Sequence, residues 1–159
     1  MVRRKLAVAL AGLAALGGAS TAHGATAGPS CHAADLAGAL IDVQGAAGSQ
    51  FGRVILINTS PRTCHLRGFP GGRFVASGGR RIPTHVTRDP ATAVRRVVIL
   101  PGSAAAFGLR WSDVPSGSQR CETARWLRVT PPNATSTLRV HFGHAPCGGR
   151  LSVRAVTTP

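Results

Sequence analysis

The sequence predicts an all-β domain, a sandwich or barrel of short antiparallel strands. Three observations carry that prediction. Glycine, proline, serine and asparagine break the chain at short intervals. Between the breaks, apolar residues recur with a period of two. No segment carries a sustained apolar stripe of helical period, and Ala33 to Leu40 offers at most a short, glycine-broken helical turn.

The first element is read as a leader. Arg3, Arg4 and Lys5 precede a small-residue apolar run from Leu6 to Gly18. Small residues around Ala22-His23-Gly24 and Ala25-Thr26-Ala27 then supply cleavage sites, the order of a secretory signal peptide. The apolar run is shorter than the roughly 20 residues that span a bilayer. Residues 1–27 are therefore assigned to a cleaved leader and residues 28–159 to a secreted domain with its core at about 31–156. Lipid anchoring at Cys31 is disfavoured, because Gly28-Pro29-Ser30 sets that cysteine well beyond the apolar run.

Nine strands are expected in the remainder: Asp35–Val43, Gly52–Thr59, Cys64–Ala76, Arg80–Thr87, Arg95–Leu100, Ser103–Trp111, Arg125–Thr130, Thr137–Gly143 and Arg150–Val156. Their separators carry turn chemistry, among them Gly78-Gly79, Pro101-Gly102 and Gly148-Gly149. Successive side chains of a strand point to opposite faces. Ala105, Phe107, Leu109 and Trp111 therefore share a core face. The same rule puts Leu127 and Val129, then Leu138, Val140 and Phe142, then Leu151, Val153 and Ala155 inside. Val54-Ile55-Leu56-Ile57 is apolar at every position and reads as a central strand covered on both faces.

Cys31, Cys64, Cys121 and Cys147 make an even count, which in an exported domain reads as two disulfides. Three connectivities exist, and the nearest-partner pairing, Cys31 with Cys64 and Cys121 with Cys147, is the one expected. If all nine strands alternate in direction, the four cysteines fall at one end of the domain. The absence of any Cys-x-x-Cys pair disfavours zinc ribbons and thioredoxin-type chemistry.

The order of these features resembles a known family. Cys31 is followed by Gly45-Ala46-Ala47-Gly48-Ser49 and an apolar strand ending Asn58-Thr59-Ser60. Then come Thr63-Cys64-His65-Leu66-Arg67-Gly68-Phe69-Pro70-Gly71, Val98-Ile99-Leu100-Pro101-Gly102-Ser103-Ala104, Cys121, and Cys147 before a last strand. This resembles the exported actinobacterial family called domain of unknown function 4232, over nearly all of the chain from Cys31 to Val156. The resemblance implies an immunoglobulin-like antiparallel β-sandwich that is secreted or lipid-anchored. That family has no established activity, so the resemblance transfers no catalytic residue.

The residues exclude most catalytic chemistry. No nucleophile elbow, phosphate-binding glycine loop, zinc-protease helix or dinucleotide fingerprint is present. Asp35, Asp42, Asp89, Asp113 and Glu122 are scattered, which speaks against acid–base catalysis, and no cofactor is implied. The expectation is a non-enzyme.

Charge is the positive signal. The chain has 19 Lys plus Arg; three lie in the leader, leaving 16 against 5 acidic residues, a net +11 on residues 28–159. All 16 are arginine, a bias that genome composition also explains. Arg110, Arg128, Arg139 and Arg154 fall at outward positions of their strands, and a ladder of guanidinium groups there would bind anions. Anionic cell-wall polymer or a membrane surface is the expected partner. Specific nucleic acid is not, because the aromatics that would stack on bases are few and mostly expected inside. The alternative is an extracellular metal site: His32, His65 and His144 lie near cysteines, and parity would bring them to the cysteine-rich end.

Overall fold

The computed structural model describes residues 28–159. The assigned leader, 1–27, lies outside the described residues. Among the described residues, a 3-10 turn, Ala33–Asp35, is followed by ten strands. They are β1 (Leu36–Ala46), β2 (Ser49–Asn58), β3 (Cys64–Arg67), β4 (Gly71–Val75), β5 (His85–Asp89), β6 (Arg96–Ile99), β7 (Ala104–Ser112), β8 (Ala124–Thr130), β9 (Leu138–His144) and β10 (Arg150–Arg154). One sheet has the order β1-β2-β7-β10-β5, a second β4-β8-β9, and β3 pairs with β6 alone. The protein is all-β and held by two disulfides, and every named strand pair is antiparallel except β10 with β5.

The two larger sheets share one core. Phe107, Leu109 and Trp111 of β7 are buried, as are Leu127 and Val129 of β8 and Val140 and Phe142 of β9. The Trp111 and Phe142 ring centroids are 4.8 Å apart across the sheets, and Phe74 meets Phe142 at 5.0 Å. Such tilted aromatic contacts add roughly 0.5–1.5 kcal/mol each beyond the area they remove from water. Two glycines set how closely the sheets approach. A Cβ on Gly38 would lie 2.7 Å from Val140 Cγ2, and one on Gly72 would lie 2.6 Å from Leu151 Cδ2.

Four expectations need correction. The segment Cys64–Ala76 is two strands in different sheets, because Gly68 turns the chain at φ +113° and Pro70 has no N–H to give a ladder. The strand expected at Arg80–Thr87 is β5, His85–Asp89, and it runs parallel to β10. Val54 and Leu56 are buried but Ile57 is 40% exposed, so β2 is central in its sheet yet covered fully on one face only.

The fourth correction concerns the disulfides. The pairing is Cys31–Cys64 and Cys121–Cys147, but the bridges sit at opposite ends of β7. Cys64 pairs with Ile99, and Asn58, whose side chain reaches Ile99 O, donates its backbone N–H to Ser103 O just before β7 begins. Cys147 N–H instead donates to Ser112 O, where β7 ends. Nine strand residues separate those points by roughly 27 Å. The split of the third strand and the parallel β5 undo the simple up-and-down alternation.

Asn58 organises the Cys31–Cys64 end. It is wholly buried, and its amide Nδ2 donates to Arg62 O at 2.7 Å and Ile99 O at 3.1 Å. Its Oδ1 accepts from Ser60 N–H and Ser60 Oγ–H. One side chain thus joins the end of β2, the turn after it and the end of β6. The Asn58-Thr59-Ser60 triplet is therefore a structural clamp whose amide is not free for modification.

Replacing Asn58 by Ala removes a buried donor to Ile99 O and a second bond to Arg62 O, and should lower the unfolding free energy by about 3 kcal/mol, as read by urea denaturation. The disulfides close loops of 33 and 26 residues, so removing either is expected to cost about 3.5 kcal/mol. Because they lie at opposite ends, the two losses should add in the double variant.

Candidate anion-binding face

The outward residues of β4, β8 and β9 form rows across the three-stranded sheet. Arg73 pairs with Arg128, and Arg128 with Arg139, so three guanidinium stems stand side by side. Adjacent strands are about 4.8 Å apart, and like charges directly opposite each other destabilise a sheet. In the next row Val75 opposes Trp126, and Trp126 opposes His141, whose ring meets the indole edge-on at 5.6 Å. Arg139 lies 5.3 Å and Arg125 5.6 Å from the Trp126 ring centroid, and these cation–π contacts orient both guanidinium groups.

A fourth arginine joins from a loop. After β4 the chain turns tightly, with Gly79 N–H donating to Ala76 O and Ala76 N–H to Arg80 O. Gly79 has φ +81°, a conformation that glycine adopts without a Cβ clash. Arg80 is drawn outward to Glu122, and Arg81 bridges back to Val75. Arg73, Arg81 and Arg128 then line two adjoining depressions. One continues to Thr130, Thr135 and Thr137; the other continues to Trp126 and Arg139.

None of Arg73, Arg81, Arg128 and Arg139 is paired with a carboxylate among the described residues. Arg73 Nε is buried and has no acceptor. All the acidic side chains are engaged elsewhere. Asp42 pairs with Arg53, Asp35 with Arg62, Glu122 with Arg80 and Asp89 with Arg154, while Asp113 accepts from Gln50. Asp89 is held below the usual carboxylate range, first by the Ala91 N–H and then by Arg154.

The ladder expected from Arg110, Arg128, Arg139 and Arg154 is thus divided. Arg128 and Arg139 are neighbours on the three-stranded sheet. Arg110 and Arg154 belong to β7 and β10 of the five-stranded sheet, where Arg110 donates to Ser49 Oγ and Arg154 is neutralised by Asp89. Arg73 and Arg81 were not singled out in the sequence. The signal for Arg73 was there: Phe74 is a strong core residue, and its neighbour in a strand must face outward. Arg81 carries no such signal, because a loop places it.

The histidines do not converge. His32 and His65 belong to the Cys31–Cys64 end, where His65 Nδ1–H donates to Gly28 O at 2.6 Å. His144 lies at the opposite end of β7, 5.3 Å from Trp111. No group of three or more metal-ligating side chains gathers among the described residues. The parity that would have joined these histidines failed with the strand count. Phe51 and Trp126 face outward; Arg110 stands over Phe51 at 5.7 Å and Arg139 over Trp126 at 5.3 Å.

Fold and face together define a disulfide-held, all-β domain with an unneutralised arginine surface. The chain belongs to the family described as a domain of unknown function (DUF4232), whose model matches residues 31–157. Neither a curated protein nor a solved structure matches the chain. Among the described residues no helix is long and apolar enough to cross a membrane.

Burial against Trp111 and Phe142 holds the His144 imidazole below its ordinary value of 6.5, and the charge of His141 adds to this. The unfolded chain therefore takes up this proton first as pH falls, and the folded state loses stability from about that value downward. The thermal midpoint should drop between pH 7 and pH 5, and His144→Gln should flatten that drop. Asp89 acts only in its own, lower window: its stabilising effect is present above 3.8 and is lost as pH falls through its depressed value.

Proposed function

We propose that this protein is a non-catalytic, exported binding module of immunoglobulin-like architecture, and that it engages anionic cell-envelope polymers through its arginine face. The observation that carries the reading is the in-register row Arg73, Arg128, Arg139, which has no acidic partner among the described residues. A fold that sets three like charges side by side accepts a repulsion on the order of 1 kcal/mol per neighbouring pair in a water-like medium. An external anion relieves that repulsion, and guanidinium forks suit oxyanions.

Two further features support the reading. Four of the five carboxylates stand in separate ion pairs with arginine and the fifth, Asp113, accepts from Gln50, rather than being grouped as an acid–base pair. The leader-like first 27 residues and the two formed disulfides suit an oxidising location outside the cytoplasm.

On a sulfonated matrix the protein should be retained at low salt and released as ionic strength rises. Arg128→Gln and Arg139→Gln should each elute earlier and lower the slope of log affinity against log salt by about one. Arg110→Gln should change it less. Retention that is indifferent to salt, or equally reduced by all three substitutions, would remove the arginine row from the account.

A further inference from the structure

We infer that the groove shared by Arg73, Arg81 and Arg128 takes a phosphate group carrying more than one negative charge, a phosphomonoester or pyrophosphate, in preference to a carboxylate. This rests on the anion-binding reading above and names its ligand chemistry. The three arginines line both adjoining depressions, so their side chains converge on one place rather than merely sharing a surface.

Charge and donor count set the choice. A carboxylate has two oxygens and a single charge, and one guanidinium fork satisfies it. Three guanidinium groups with no protein carboxylate among them call for more. A phosphomonoester supplies three acceptor oxygens and a charge of about −1.5 to −2 at neutral pH. Arg73 adds an Nε–H that no protein acceptor occupies. Glu122, across from that loop, is taken by Arg80, while Arg81 bridges back to Val75 and faces the groove. Thr130, Thr135 and Thr137 offer hydroxyl donors along one side of the groove.

The surroundings argue against a ligand recognised by stacking. Trp126, the aromatic at this groove, already has Arg125 and Arg139 against its ring and His141 at its edge. Recognition here is of the charged group, not of a base or sugar ring attached to it.

The test is calorimetric titration of the disulfide-intact protein with pyrophosphate and, at matched pH and ionic strength, with citrate. Pyrophosphate should bind at least tenfold more tightly than citrate. Arg73→Gln and Arg128→Gln should each weaken pyrophosphate at least tenfold, while Arg110→Gln should change it less than twofold. Arg81→Gln lies in a loop and should fold regardless, and it should weaken pyrophosphate too. Equal binding of citrate and pyrophosphate that still depends on Arg128 would overturn the phosphate preference and leave the anion-binding face standing. Binding of neither anion, or binding indifferent to Arg73 and Arg128, would overturn both.

Discussion

Everything in this fold hangs on the inward face of β7. Ala105, Phe107, Leu109 and Trp111 alternate along it, all buried, and the strand pairs with β2 on one side and β10 on the other. Its core face meets the three-stranded sheet through Trp111 and Phe142. Each end of the same strand is tied by a disulfide-bearing segment, through Ser103 and Asn58 at one end and Ser112 and Cys147 at the other. With aromatic residues only 4% of the chain, the core is small, and restricting the unfolded chain at both ends offsets that deficit.

That arrangement frees the outer surfaces for charge. The five acidic side chains are all engaged, four with arginines and Asp113 with Gln50. Twelve of the 16 arginines of residues 28–159 therefore have no carboxylate partner among the described residues, Arg88, Arg110 and Arg150 of the five-stranded sheet included. On the five-stranded sheet Arg53 and Arg154 are neutralised by Asp42 and Asp89. On the three-stranded sheet Arg73, Arg128 and Arg139 are not, and Trp126 braces one of them. What sets Arg73, Arg128 and Arg139 apart from the other uncompensated arginines is their register, which makes them direct cross-strand neighbours in one row.

Much of the fold could be read from periodicity, because alternation is a local property. The core faces of β7, β8, β9 and β10 follow directly from their apolar spacing, and the nearest-neighbour disulfide pairing holds. What failed was long-range. One turn at Gly68 to Pro70 splits a strand and sends its halves to different sheets, and this changes the direction of everything after it. The histidine cluster depended on that direction, and the four-arginine ladder on its four strands being neighbours; β7 and β10 lie in one sheet and β8 and β9 in another, so both came apart and only the Arg128–Arg139 pair survives. Arg73 could have been found from Phe74 beside it; Arg81 could not, since its place depends on the Arg80–Glu122 pair across 42 residues of sequence.

The most direct test of the central claim is to watch the arginines themselves. Arginine Nε–H resonances, assigned by substitution and followed by nuclear magnetic resonance during titration with an anionic polymer, report where charge meets charge. The account predicts that Arg73, Arg81, Arg128 and Arg139 shift together and saturate together, with Arg53, Arg110 and Arg154 nearly still. Shifts spread evenly over all the arginines, or concentrated on the five-stranded sheet, would contradict it.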